Sequence, residues 1–252
     1  YLGRIGLHLL GFLLLLIEKL LIVDDLTYRG ISVLNRGQNH LKFNEYSALN
    51  GDYLQTIFED KDEQYVEPVG PAHFLPNNTK EFLWLAQRDG FYHIWKHNVE
   101  TKEAKQITKG DFVITAFEGF DKNGNNIYYT STEVSPLERH FYKHNLKNGK
   151  KVKITKEHGT HGVTPSASGK YFIDSYSSTD VARNVDIMDA NGNFVKRLHE
   201  AADPLKDYNI GTIELGELKA EDGQTLYTRM IKPYNFDENK KYPVIIYVYG
   251  GP

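Results

Sequence analysis

Three groups of side chains in this 252-residue chain have types and spacings that could do chemistry. The first is a set of histidines: His93 and His97, His140 and His144, and His158 and His161. Residues four apart face one way on a helix and on a strand, so each His-x3-His pair could offer two imidazoles to one metal ion. No glutamate of the His-Glu-x-x-His zinc-peptidase kind accompanies them, and the first two pairs repeat at an offset of 47 residues. Repetition favours a structural position reused by a repeated unit, so no metal site is expected. His158-Gly159-Thr160-His161 reads as a loop between two such units.

The second group is Ser131-Thr132-Glu133-Val134-Ser135-Pro136-Leu137-Glu138-Arg139, which mixes hydroxyls with charges of both signs. No Gly-x-Ser-x-Gly nucleophile elbow occurs anywhere in the chain, so no serine here reads as activated. The expectation is a loop whose Glu133, Glu138 and Arg139 are solvated or paired; the competing reading is a loop facing a central cavity. The third group is Tyr247-Val248-Tyr249-Gly250-Gly251-Pro252, directly after the apolar run Val244-Ile245-Ile246. Glycines after a buried strand let the backbone turn sharply and approach a ligand, and a loop so placed can supply donors to a developing oxyanion. An ordinary Gly-Gly-Pro turn is the alternative.

The elements that must position these groups are strands. From residue 37 to residue 200 short segments rich in Phe, Tyr, Ile and Val alternate with turn dipeptides, with no long helical period. Hairpin signals fall at Asn50-Gly51, Asn123-Gly124, Asn148-Gly149 and Asn191-Gly192, with Ser168-Gly169 and Asp222-Gly223 as weaker relatives. Asn78, Gly124 and Gly169 recur every 45 to 46 residues, and Gly149 and Gly192 are 43 apart. Two hairpins per period mean four strands per period. Phe91 to Asn98 also aligns with Glu138 to Asn145, both His positions, the Lys and the Asn coinciding. Four strands in about 40–50 residues is the signature of a β-propeller blade, and propellers close with about 4–8 blades. The chain holds three to four.

After residue 200 the pattern changes. Ala201-Ala202-Asp203-Pro204-Leu205 reads as a linker, followed by strands at Ile213 to Leu218, Thr225 to Lys232 and Tyr242 to Tyr249. The last is nearly continuous in apolar residues, which suits a central strand covered on both faces, as in an α/β domain. Such a strand is a poor place for a domain to finish, so an internal fragment of a longer protein is expected. At the other end the apolar run Leu9 to Ile17 is broken by Glu18-Lys19, too short for a membrane span of about 20 apolar residues. A net charge of -3 gives no general pull toward phosphate backbones, and the absence of cysteine excludes a disulfide scaffold or a thiol nucleophile.

These motifs resemble the prolyl oligopeptidase family of serine peptidases, and within it the dipeptidyl peptidase IV subfamily in its bacterial form. Leu34 to Asn39, Gln87-Arg88-Asp89-Gly90-Phe91-Tyr92-His93-Ile94, Ile107-Thr108-Lys109-Gly110, Ser131 to Tyr142, and Lys241-Tyr242-Pro243-Val244 through Pro252 carry the likeness. It covers roughly residues 31–252; residues 1–30 form an atypical apolar segment unlike the family's propeller strands. The resemblance implies a mainly β chain: residues 31–200 as the C-terminal part of an eight-bladed propeller, and residues 201–252 as the start of an α/β-hydrolase domain. It implies a serine exopeptidase that removes Xaa-Pro or Xaa-Ala dipeptides from peptides with a free N-terminus, the propeller restricting access. It implies no cofactor, a possible homodimer, and export to the periplasm. Tyr249 matches the tyrosine whose hydroxyl donates to the tetrahedral oxyanion. The triad Ser, Asp and His would lie beyond Pro252, and the glutamates that hold the substrate ammonium before residue 1. The alternatives are a non-catalytic propeller that binds peptides or proteins, and a prolyl endopeptidase or acylaminoacyl peptidase.

Overall fold

The computed structural model describes residues 21–22, 28–166 and 168–248. Among these every regular element is a strand. Strands β1 (Leu21–Ile22), β2 (Tyr28–Leu34), β3 (His40–Ser47) and β4 (Tyr53–Lys61) form a first antiparallel sheet. The second comprises β5 (His73–Leu75), β6 (Asn78–Ala86), β7 (His93–Asn98) and β8 (Ala104–Gln106). The third comprises β9 (Ile114–Phe120), β10 (Asn126–Ser131), β11 (His140–Asn145) and β12 (Lys151–Lys153). The fourth comprises β13 (Thr160–Pro165), β14 (Tyr171–Ser177), β15 (Asn184–Asp189) and β16 (Phe194–Glu200). Each strand pairs with its sequence neighbour, the meander of a propeller blade.

The turn series explains this register. Gly51, Gly124, Gly149, Gly169 and Gly192 all stand in the left-handed region, φ between +64° and +78°, as the last residues of three- and four-residue hairpin loops require. The β7–β8 turn has no glycine; Lys102 takes φ 60° there instead, with Asn98 Oδ1 accepting the backbone N–H of Glu100 and Thr101. Asn145 does the same for Lys147 and Asn148, 47 residues on.

Inner blades are covered on both faces, which accounts for their nearly unbroken apolar strands. On β6, Phe82, Trp84 and Ala86 pack with Leu41, Phe43 and Ile57 of the first sheet. The intervening Leu83 and Leu85 pack with Ile114, Ile127 and Tyr129 of the third. On β10, Tyr129 faces the second sheet while Tyr128 meets Phe172 and Met188 of the fourth. Phe43 anchors the first seam, its ring centroid 5.4 Å from Phe58, 5.4 Å from Phe82 and 5.5 Å from Trp84. Truncating such a ring to alanine costs about 3–5 kcal/mol.

Two expectations are corrected. Tyr28, Arg29 and Gly30 pair with Ser47, Tyr46 and Glu45, and Leu21–Ile22 pairs with Arg29–Gly30, so the first sheet starts before residue 31. Cross-strand pairing recruits these residues although only Tyr28 of the three is apolar. Conversely Tyr242–Val248 forms no strand: Val244, Ile245, Ile246, Tyr247 and Val248 are at least 80% exposed. Apolar β-branched residues give propensity, yet a strand exists only through ladder bonds, and none of the described residues supplies them here.

The chain divides into two compact units: residues up to Ser178 with Arg183–Glu200, holding the four sheets, and Thr179–Ala182 with residues from Ala201 onward. The second unit carries one hairpin, β17 (Ile213–Lys219) with β18 (Thr225–Ile231), closed at Gly223, φ 86°.

Candidate functional site

Strand connectivity gives each sheet two distinct ends. The glycine hairpins join first to second and third to fourth strands; connections from second to third strand, and onward to the next sheet, leave from the opposite end. The ion pairs of Arg88 with Asp60 and of Glu138 with His140 and His158 lie at that opposite end.

Between the first and second sheets, Arg88 at the end of β6 donates through Nε to Asp60 Oδ1 at 2.6 Å and through Nη2 to His97 Nε2 at 3.1 Å. Its guanidinium lies over Trp95, 4.9 Å from the ring centre, and over Phe58 at 5.4 Å. Burial, with the Arg88 charge adding to it, holds the His97 imidazole down to about 3, so the ring is neutral. A cleft of about 120 Å³ opens beside this group, lined by Asp60, Arg88, Trp84, Tyr65, Glu67 and Pro68 among others. The Tyr92 hydroxyl donates to Glu67 Oε2 at 3.2 Å; burial and then the Glu67 charge push that phenol up to about 12. The cleft thus combines both signs of charge with aromatic walls.

At the start of β7 the buried His93 meets Thr108 Oγ1 through Nδ1 at 3.1 Å and the Gly110 carbonyl through Nε2 at 2.9 Å. The carbonyl requires a proton on Nε2, so in the neutral ring Nδ1 accepts from the threonine hydroxyl, which itself accepts the Ile94 N–H. The arrangement recurs at His140, with Thr155 Oγ1 at 3.0 Å and Glu138 Oε2 at 2.8 Å, and Thr155 again takes the next N–H, that of Phe141. These histidines lock their strands to the following connection. Among the described residues no cluster of three or more His, Cys, Asp or Glu is arranged to hold a metal.

The segment 131–139 is paired. Glu133 forms an ion pair with Lys151, and Arg139 donates to the Pro136 and Glu138 carbonyls. Glu138 accepts from His140 and from the Gly159 N–H, and faces His158 Nδ1 at 3.1 Å. Burial works to raise the Glu138 carboxyl, but these hydrogen bonds hold it below the usual range. Arg139 bridges to Thr160, joining the third sheet to the fourth. Of the His158–His161 segment only the first part is loop: His161 lies in β13, buried, with Nδ1 2.8 Å from Asp174 Oδ2 and Nε2 2.8 Å from the Glu157 carbonyl. Burial lowers His140 as well.

Tyr249 lies outside the described residues. Sequence reasoning missed Asp60 as the partner of Arg88 and Asp174 as the partner of His161. It also passed over the repeat of Ile107-Thr108-Lys109 at Ile154-Thr155-Lys156, a 47-residue signal that would have exposed the His–Thr pairs.

Residues 24–183 match the family described as dipeptidyl peptidase IV (DPP IV) N-terminal region. A crystal structure assigned as a dipeptidyl aminopeptidase IV from Bacteroides ovatus superposes with a TM-score of 0.86 at 32% identity, covering 92% of this chain and 36% of that one. Dipeptidyl peptidase 4 of Porphyromonas gingivalis gives a TM-score of 0.79 at 26% identity, over 89% of this chain and 32% of that one. Dipeptidyl peptidase 4 of Trichophyton rubrum is 27% identical over 244 residues, 91% of this chain and 30% of the fungal protein. The chain spans between a quarter and a third of the length of the curated relatives it matches.

Proposed function

The chain belongs to the dipeptidyl peptidase IV family, and from that membership we propose that it serves a serine exopeptidase which removes N-terminal Xaa-Pro or Xaa-Ala dipeptides from peptides. Residues 31–200 act as the C-terminal part of a β-propeller that gates access, and residues 201–252 as the start of an α/β-hydrolase domain. The observation that carries this reading is the superposition of 92% of the chain on one relative at a TM-score of 0.86. The cleft beside Arg88, which joins charges of both signs to aromatic walls, supports it too, since a peptide needs both.

On this reading the nucleophile, its base and the ammonium-binding carboxylates belong to the rest of a longer protein. What this chain contributes to the chemistry is Tyr249, whose hydroxyl donates to the oxygen that becomes negative when the scissile carbonyl is attacked. One such donor is worth about 3 kcal/mol in the transition state. The substrate is a peptide with a free N-terminus, processed in an exported, periplasmic setting by a protein able to form homodimers.

The test is release of the chromophore from a Gly-Pro anilide by the full-length protein and by Tyr249→Phe. Hydrolysis that falls about 100-fold in kcat in the variant, with KM little changed, supports exopeptidase activity and the oxyanion role together. Hydrolysis of blocked-N-terminus substrates instead points to an endopeptidase, and no hydrolysis by folded protein points to a binding propeller.

A further inference from the structure

The cleft between the first and second sheets holds about 120 Å³, well short of the ~300–1,000 Å³ that a whole small-molecule ligand takes up, so it fits a single side chain of a larger ligand. Much of its lining is apolar: Leu41 and Trp84 are buried, and Val66 and Pro68, half-buried, also border it. Its charged groups divide unevenly. Lys61 lies 2.9 Å from Glu59 and Arg88 2.6 Å from Asp60, so both cations in the walls are neutralised. Asp62 and Glu67, exposed on the connection between β4 and β5, form no ion pair among the described residues. Both are nevertheless oriented, Glu67 Oε2 accepting from the Tyr92 hydroxyl at 3.2 Å and Asp62 Oδ1 from the Gln64 N–H at 2.8 Å. Two held carboxylates without a cation thus border a cleft the size of one side chain.

We propose that this cleft is a subsite for one basic side chain, lysine or arginine, of the peptide that the protein takes up; this rests on the peptidase reading above and adds a side-chain preference to it. Such a side chain matches the cleft in both of its parts. Its methylene stem packs on the apolar lining at Leu41, Val66 and Trp84, while its charged head stays in water beside Glu67 and Asp62. The aromatic rings of Tyr65 and Trp84 add to the attraction for a cation. A neutral side chain of equal length leaves both carboxylates unpaired, and an acidic one meets like charge. Arg88 does not reverse this choice. Its Nε and Nη2 are engaged with Asp60 and His97, and its guanidinium is held over the Trp95 ring at 4.9 Å.

The test is calorimetric titration of the full-length protein with three blocked probes: N-acetylarginine amide, N-acetylnorleucine amide and N-acetylglutamate amide. None has the free N-terminus that the peptidase reading requires, so their binding is judged apart from hydrolysis. At low salt the arginine probe should bind on the order of tenfold more tightly than the norleucine probe and more tightly still than the glutamate probe, and added salt should shrink the preference. Glu67→Gln combined with Asp62→Asn should abolish it. Both positions are exposed and both replacements keep the side-chain shape, and an unchanged urea midpoint checks that the fold survives. Equal affinities, no measurable binding of the arginine probe, tighter binding of the glutamate probe, or a preference that survives the double variant would each overturn the subsite. The peptidase reading fails separately: Gly-Pro anilide then goes uncleaved while the arginine preference in binding persists.

Discussion

Trp95 and Tyr142 occupy the same place in successive sheets, 47 residues apart, and each ring carries a cation on its face. For Trp95 the cation is Arg88, from the end of β6, neutralised by Asp60; for Tyr142 it is Lys151, from β12, neutralised by Glu133. The residue 47 positions after Arg88 is Ser135, so the two seams reach one physical solution by different routes. An aromatic ring at the third position of the third strand attracts whichever cation the neighbouring elements can deliver.

The Arg88–Asp60 pair, with side chains 22% and 12% exposed, makes a strong prediction for the first seam. Arg88→Ala should destabilise the protein by about 3 kcal/mol, since Asp60 keeps its charge without a partner and Trp95 loses its cover. Arg88→Lys should recover only part, lacking the planar fork. Arg88→Met with Asp60→Asn should recover most of the loss. Urea unfolding checks all three; equal stability of Arg88→Ala and the parent would refute the role.

The two His–Thr locks predict matched losses. Thr108→Val and Thr155→Val each remove a hydroxyl that accepts a buried N–H, that of Ile94 or Phe141, and serves a buried histidine. Each should cost about 1–3 kcal/mol, while Thr→Ser at either site should cost less. Thermal unfolding of the four variants reads this directly; a loss at one site only would show that the two sheets are not equivalent.

His97 predicts a pH dependence. Its imidazole is held down to about 3 by burial and by Arg88, against an ordinary 6.5. Above 6.5 both folded and unfolded rings are neutral and the contribution to stability is whole. As pH falls from 6.5 toward 3 the unfolded ring takes a proton that the folded ring refuses, so stability declines through that window. His73, His140 and His144 are lowered in the same direction by burial and steepen the slope. Measured between pH 7 and 5, the urea midpoint should fall, and His97→Phe should reduce the slope; an unchanged slope would sink the assignment.

Two turn glycines separate strain from close approach. Gly51, φ 78°, has open space around an added Cβ, whereas at Gly192, φ 77°, that carbon would stand 2.2 Å from the carbonyl oxygen of Ile154, just after β12. Gly51→Ala should cost about 1 kcal/mol from φ alone. Gly192→Ala should cost at least ~3 kcal/mol, because backbone must move as well. Comparing the two melting temperatures tests the contrast, and equal shifts would contradict it.

Much of this architecture is legible in the sequence because its rules are local. A glycine after Asn or Ser favours a turn, and turns at a fixed period imply four strands per unit, so Gly124, Gly149, Gly169 and Gly192 mark hairpins before any coordinates exist. Lys102 is illegible by the same rule, since nothing in its side chain announces a left-handed φ; the Asn98 side chain stabilises that turn instead. Strand content is readable only where pairing follows. Tyr28-Arg29-Gly30 shows little pattern but has β3 beside it, while Val244-Ile245-Ile246 has pattern and no neighbouring ladder. The chemistry is less legible. Arg88 and Asp60 are 28 residues apart, and His161 and Asp174 are 13 apart on adjacent strands, distances at which spacing carries no message until the sheets pack.

The outermost strands differ in a way that bears on the behaviour of the molecules in concentrated solution. In the second and third sheets the fourth strands are three residues long, Ala104–Gln106 and Lys151–Lys153, with lysine at positions 105, 151 and 153. Brief, cationic borders offer a passing chain little to add onto, and mutual repulsion discourages the attempt. Strand β16 has the opposite character: seven residues, with Phe194, Val195 and Leu198 at least half exposed. Among these fourth strands β16 is therefore the border most open to strand addition, and a lysine in place of Val195 should slow self-association there while leaving the buried layers untouched.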